Sequence, residues 1–128
     1  MLDYDKLMGW QLPVISQSYS DRDSILYAIA VGVSTGTVDA HDLRYLYEGA
    51  GLRTLPTMPT VVGQRPMWMA DPRLGINWQY IVHGEQSVQV HVPLPPSGTI
   101  VSGEKIKAIY DKGRDKGRSE ERRVGKEC

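Results

Sequence analysis

Phenylalanine is absent from this 128-residue chain, cysteine occurs once and histidine three times. Each scarcity excludes something. A lone cysteine cannot close an internal disulfide, which removes the disulfide-stapled secreted scaffolds and points to a reducing, cytoplasmic setting. His41, His83 and His91 stand in no spacing such as His-x-x-x-His and no Cys-x-x-Cys pair exists, so no metal site is expected. A charge excess is lacking too: 15 Lys and Arg balance 15 Asp and Glu. A nucleic-acid surface would ordinarily be basic, so no nucleic-acid partner is expected. The longest apolar run, Ile25 to Val33, is broken by Tyr27 and Gly32 and is far short of the roughly 20 residues that span a bilayer. No membrane segment is expected. The opening Met1-Leu2-Asp3-Tyr4-Asp5 is acidic where a secretory leader is basic. There is no Gly-x-Ser-x-Gly elbow, no phosphate loop ending in Lys-Ser or Lys-Thr and no Gly-x-Gly-x-x-Gly, which takes the main support from those enzyme classes. Length allows one domain, or part of one, because two domains of half this size would each be marginal.

The C-terminal residues differ from the rest. From Arg118 to Cys128 the chain carries seven charges in eleven positions, with Val124 as the one core-forming residue. By composition this is a disordered charged tail. The string also resembles the in-frame translation of a common short-read sequencing adapter, so 118–128 is set aside as a non-native, adapter-derived tail. Without its four basic and three acidic residues the remainder holds 11 basic against 12 acidic, a net charge of −1. The neutral-charge argument survives.

Residues 1–18 read as an irregular lead-in with one short strand at most. Ser20 is a good N-cap, and Asp21 and Asp23 in the first turn oppose the positive end of a helix dipole. The body that follows, Ser24 to Val33, is apolar nearly all round, which predicts an enclosed, central helix ended by Gly32. Asp39 to Glu48 is too short for periodicity to decide between helix and strand. Seven Gly and Pro residues between Gly49 and Pro72 leave room only for loops and single turns. From Ser87 to Leu94, Val88, Val90, Val92 and Leu94 alternate with polar residues and Pro93, the period of a half-buried strand. A turn at Pro93 to Gly98 and a return strand from Thr99 to Tyr110 complete a predicted hairpin, with Gly103 a candidate bulge and the outer edge of the return strand left open. The expected class is α+β.

Individually the polar motifs are weak. His83-Gly84-Glu85-Gln86 reads as a turn before a strand, and Asp111-Lys112-Gly113 as a turn with solvated charges. In order, however, Ser24-Ile25-Leu26-Tyr27-Ala28-Ile29-Ala30-Val31-Gly32, Asp42-Leu43-Arg44-Tyr45-Leu46-Tyr47-Glu48-Gly49, Leu55-Pro56-Thr57, Val62-Gly63-Gln64, His83-Gly84-Glu85-Gln86, Pro93-Leu94-Pro95 and Tyr110-Asp111-Lys112-Gly113 closely resemble the N-terminal half of the (R)-specific 2-enoyl-CoA hydratases, which are MaoC-like dehydratases.

The resemblance implies an incomplete hot-dog fold over 1–117: the first repeat of a double hot-dog, in which a helix is wrapped by an antiparallel sheet. It implies hydration of trans-2-enoyl-CoA to the (R)-3-hydroxyacyl-CoA without metal or organic cofactor. An Asp/His acid–base pair belongs to a Gly-Asp-x-Asn-Pro-x-His motif of the second repeat, which this sequence does not contain, so no catalytic residue is assigned. His83 and Gly84 match the His-Gly that lies against acyl-CoA, and Lys112 the lysine that meets the CoA portion. Met58, Met67, Trp68 and Met69 could line the acyl space or be ordinary core. The implied partners are an acyl-CoA thioester, the second repeat and, for the full-length protein, a second copy in a homodimer. A non-catalytic acyl-CoA-binding module, or a subunit of a split hydratase, is the competing reading, and a thioesterase on the same fold fits the blocks less well.

Overall fold

In the computed structural model, residues 3–65, 67–111 and 118–127 are described, with 111 and 118–127 described by their backbone only. Helix α1 (Tyr4–Met8) is followed by strand β1 (Ile15–Tyr19), helix α2 (Asp21–Ala30), the single turn α3 (Leu43–Leu46), and strands β2 (Gly98–Asp111) and β3 (Arg118–Glu127). The lead-in is thus more ordered than its composition predicts. Asp3 supplies the reason, because its carboxylate accepts the Lys6 N–H at 3.1 Å and starts a turn. Among the described residues between α3 and β2 the helical elements are 3₁₀ turns, at Met58–Thr60, Trp68–Ala70, Pro72–Leu74 and Trp78–Tyr80, and over 49–72 this is what the density of Gly and Pro predicts.

Both predicted ends of α2 are present. Ser20 and Asp23 form a reciprocal capping box, with the Ser20 N–H and Oγ each 2.8 Å from Asp23 Oδ2 and the Asp23 N–H donating to Ser20 Oγ. These bonds hold the Asp23 carboxyl below its usual range. At the other end Gly32 has φ +95°, its N–H donates to the Ile29 carbonyl, and the Val33 N–H reaches back to Ala28. This is a Schellman closure, and it needs a residue without Cβ.

The helix is not enclosed. Ser24 and Ala28 are buried, whereas Leu26, Ile29 and Val31 are 51%, 47% and 53% exposed. An apolar helix is enclosed only where a second layer covers its outer face, and among the described residues one stripe of α2 is covered.

The sheet has the order β1-β2-β3 and is antiparallel, giving an α+β architecture of the hot-dog class. β2 runs without interruption through Gly103. Ile100, Ser102 and Ile106 point inward, while Val101, Lys105 and Lys107 are exposed, the expected period of two. Ser18 and Thr99 hydroxyls meet across β1 and β2 at 2.9 Å. The predicted strand over 87–94 does not form, and residues 81–90 have no regular structure. The neighbours of β2 are β1 and β3, so the return strand pairs with these and not with 87–94. The edge expected to stay open is taken by β3, the segment read by composition as disordered. Strand pairing uses backbone groups, which a charged segment supplies as well as any other.

The described residues gather into two compact units. Unit 1 comprises 1–15, 65–85 and 102–125, and its core is Leu7, Trp68, Leu74 and Ile106. Unit 2 comprises 16–64, 86–101 and 126–128, with Tyr19, Met58, Val62 and Ile100 at its centre. In unit 2 three hydroxyls fix the proline loop before β2. Tyr19 Oη and Thr54 Oγ1 donate to the Pro95 carbonyl at 2.7 and 2.9 Å, and Ser24 Oγ donates to that of Pro96 at 2.6 Å.

Candidate functional site

The lead-in of unit 1 turns back on the segment after Arg65. Leu7, 1% exposed, fixes α1 in the core against Trp68, Leu74 and Ile106. The chain then passes through Trp10, Gln11, Leu12 and Pro13, which line a cleft of about 430 Å³ together with Arg65, Met67, Trp68, Ala70, Asp71 and Arg73. Met67 stands in this lining with φ 55°, a left-handed conformation uncommon for a residue with a side chain. Trp68 is 7% exposed, and its indole nitrogen is enclosed without a hydrogen-bond partner among the described residues, as is Arg65 Nε. The Arg65 N–H donates to Glu104 Oε1 of β2 at 3.2 Å, which ties the cleft to the sheet.

Asp71 organises the rim. It caps the Pro72–Leu74 turn by accepting the Arg73 N–H at 2.9 Å, and its two oxygens accept from Arg73 Nε at 2.9 and 3.1 Å and from Nη2 at 2.6 Å. The side-chain bonds from Arg73, reinforced by its backbone N–H, pull the Asp71 carboxyl down to about 2. The guanidinium also sits 4.9 Å from the centre of the Trp10 ring, a cation–π contact. The paired charges cancel locally. An ionised carboxylate committed to an arginine is a poor proton acceptor.

The predicted site residues are distributed unevenly. Met67 and Trp68 line the cleft, and Met69 is partly buried against the core beneath it. Met58 lies in the core of unit 2, with its sulfur 3.5 Å from Ser24 Oγ. His83 and Gly84 are exposed in unit 1, and a Cβ added at Gly84 would meet nothing within 4 Å. Lys112 lies outside the described residues. Sequence reasoning missed Trp10, Asp71 and Arg73. Asp71-Pro72 is a helix-start signature that could have marked the cap, but nothing local connects Arg73 with a ring 63 positions earlier. Among the described residues no group of three or more His, Cys, Asp or Glu side chains could hold a metal ion. No helix among them is long and apolar enough to cross a membrane.

The sequence profile of one family, described as the MFE-2 hydratase 2 N-terminal domain, matches residues 17–118. The chain belongs to this family. As a hydratase 2 N-terminal domain it is 39% identical over 111 residues to the peroxisomal multifunctional enzyme type 2 of Mus musculus, covering 83% of this chain and 15% of that protein. It is 29% identical over 117 residues to the enoyl-CoA hydratase ChsH3 of Mycobacterium tuberculosis, covering 88% and 41%. Among solved structures, a MaoC-like dehydratase from Phytophthora capsici superposes with a TM-score of 0.73 and 32% identity, over 96% of this chain and 43% of the other. The chain therefore spans less than half the length of each of these relatives.

Proposed function

We propose that the chain is the substrate-binding N-terminal half of an (R)-specific enoyl-CoA hydratase. The full protein adds water reversibly across the double bond of a trans-2-enoyl-CoA, the hydroxyl going to C3 and the hydrogen to C2, to give the (R)-3-hydroxyacyl-CoA. The family match over 17–118 carries this reading. The acid–base Asp and His are expected in a second hot-dog repeat beyond this chain, in keeping with relatives more than twice as long. On the chain itself His83, Gly84 and Lys112 are proposed to meet the acyl-CoA. Lys112 would act as a point charge toward the CoA phosphates. Met67 and Trp68 take the acyl-lining role from their place in the cleft, whereas Met58 is proposed as core. The reaction needs no metal or organic cofactor. The full protein is proposed to be a homodimer working in the cytoplasm. A tagged full-length protein that concentrates in peroxisomes, as the name of the mouse relative would suggest, would overturn that location.

The decisive experiment is to complete the open reading frame beyond codon 117 and assay its product on crotonyl-CoA and longer trans-2-enoyl-CoAs. A Gly-Asp-x-Asn-Pro-x-His motif and hydratase activity are expected. An early natural stop codon without that motif would favour an acyl-CoA-binding module or a subunit of a split hydratase instead. In the active enzyme, Lys112→Ala should raise KM for CoA substrates with little change in kcat, and an unchanged KM would refute the role given to Lys112.

A further inference from the structure

We propose that Trp10, held in place by the Asp71–Arg73 pair, sets the width of the unit 1 cleft and thereby the size of acyl group the enzyme admits. This rests on the acyl-CoA reading above. Four consecutive lead-in residues, Trp10 to Pro13, line the cleft together with Met67 and Trp68, and Trp10 is by far the largest of the four. The wall they form is anchored, since Leu7 is buried in the core three residues earlier. The Trp10 ring is restrained as well, by a guanidinium 4.9 Å away whose own orientation is fixed by three bonds to the two Asp71 oxygens. Those bonds neutralise Arg73, and an apolar chain can lie on Trp10, Leu12, Pro13, Met67 and Trp68. At about 430 Å³ the cleft falls within the range of small-molecule sites. The family match begins at residue 17, so the wall carrying Trp10 lies outside the matched region.

The test uses the full-length enzyme and a series of trans-2-enoyl-CoAs from short to long chain. Trp10→Ala should raise the ratio of kcat/KM for the longest substrate over that for the shortest by roughly tenfold, the scale at which a pocket discriminates a few methylenes. Arg73→Gln, at a side chain 72% exposed, should move the ratio in the same direction by releasing the ring, while Arg73→Lys, which keeps a cation over it, should stay near the wild-type profile. Should Trp10→Ala fail to fold, Arg73→Gln decides alone. A parent that hydrates enoyl-CoAs with a ratio unmoved by these substitutions overturns the assignment of Trp10. A parent that hydrates none overturns the hydratase reading, and with it the occupant named here.

Discussion

Ser24→Ala should destabilise the chain by more than its size suggests. Ser24 is 1% exposed on the inner face of α2, and its Oγ donates to the Pro96 carbonyl at 2.6 Å. Alanine removes that donor and leaves a part-buried carbonyl without it, a loss of about 1–3 kcal/mol. Alanine is also the better helix former, returning about 0.5 kcal/mol. The net expectation is about 0.5–2.5 kcal/mol. Thr54→Val should cost less, because the Pro95 carbonyl that Thr54 serves keeps a second donor in the Tyr19 hydroxyl. The two hydroxyls lie 3.4 Å apart and serve adjacent carbonyls of one loop, so the double variant should depart from additivity by at least about 0.5 kcal/mol. Urea unfolding followed by tryptophan fluorescence reads these differences directly. With a slope of about 2 kcal/mol per molar, Ser24→Ala should lower the midpoint by about 0.3–1.3 M. A midpoint unchanged within error, or a larger effect from Thr54→Val, would refute the claim that the hydroxyl clamp holds the proline loop.

Ser20→Ala should lower stability by about 0.5–2 kcal/mol through loss of the capping box, measured by the same unfolding curve. Gly32→Ala forces a side chain into φ +95° and should cost about 1–2 kcal/mol, with early fraying of α2 visible by amide exchange at Val31 and Val33. The Asp71 carboxyl titrates near 2 when folded, below its unfolded value of about 3.9. Its contribution is therefore present above about pH 4 and is lost as pH falls through about 2. Asp71→Asn should remove that part of the acid sensitivity, so a variant whose stability falls with pH as steeply as wild type would contradict the assignment.

Much of the fold was legible because local chemistry decides it. Ser20 and Gly32 bracket α2, the alternation of β2 is a period-two pattern, and Gly and Pro confine 49–72 to turns. Asp39–Glu48 resolved to the short α3, a choice that its length had left open. The hairpin failed for a nonlocal reason. The valines at 88, 90 and 92 satisfy every local rule for a strand, yet a strand also needs a partner backbone, and β2 pairs with β1 and β3 instead. The enclosure of α2 failed likewise, because an apolar surface specifies that it should be covered but not what covers it.

The family blocks made the function readable without geometry, since seven short motifs kept their order along one chain. Sequence alone thus determined the family, the caps, the strand period and the absence of the second-repeat acid–base motif. Tertiary structure decided which apolar residues meet. It put Met58 in one core and Met67 and Trp68 beside a cleft, although all four methionine and tryptophan candidates looked equivalent by composition. It also brought Arg73 over Trp10, a contact no periodicity encodes. The physical reason is common to all these cases: propensity, capping and alternation act over a few residues, whereas burial and side-chain contact depend on segments brought together only when the chain folds.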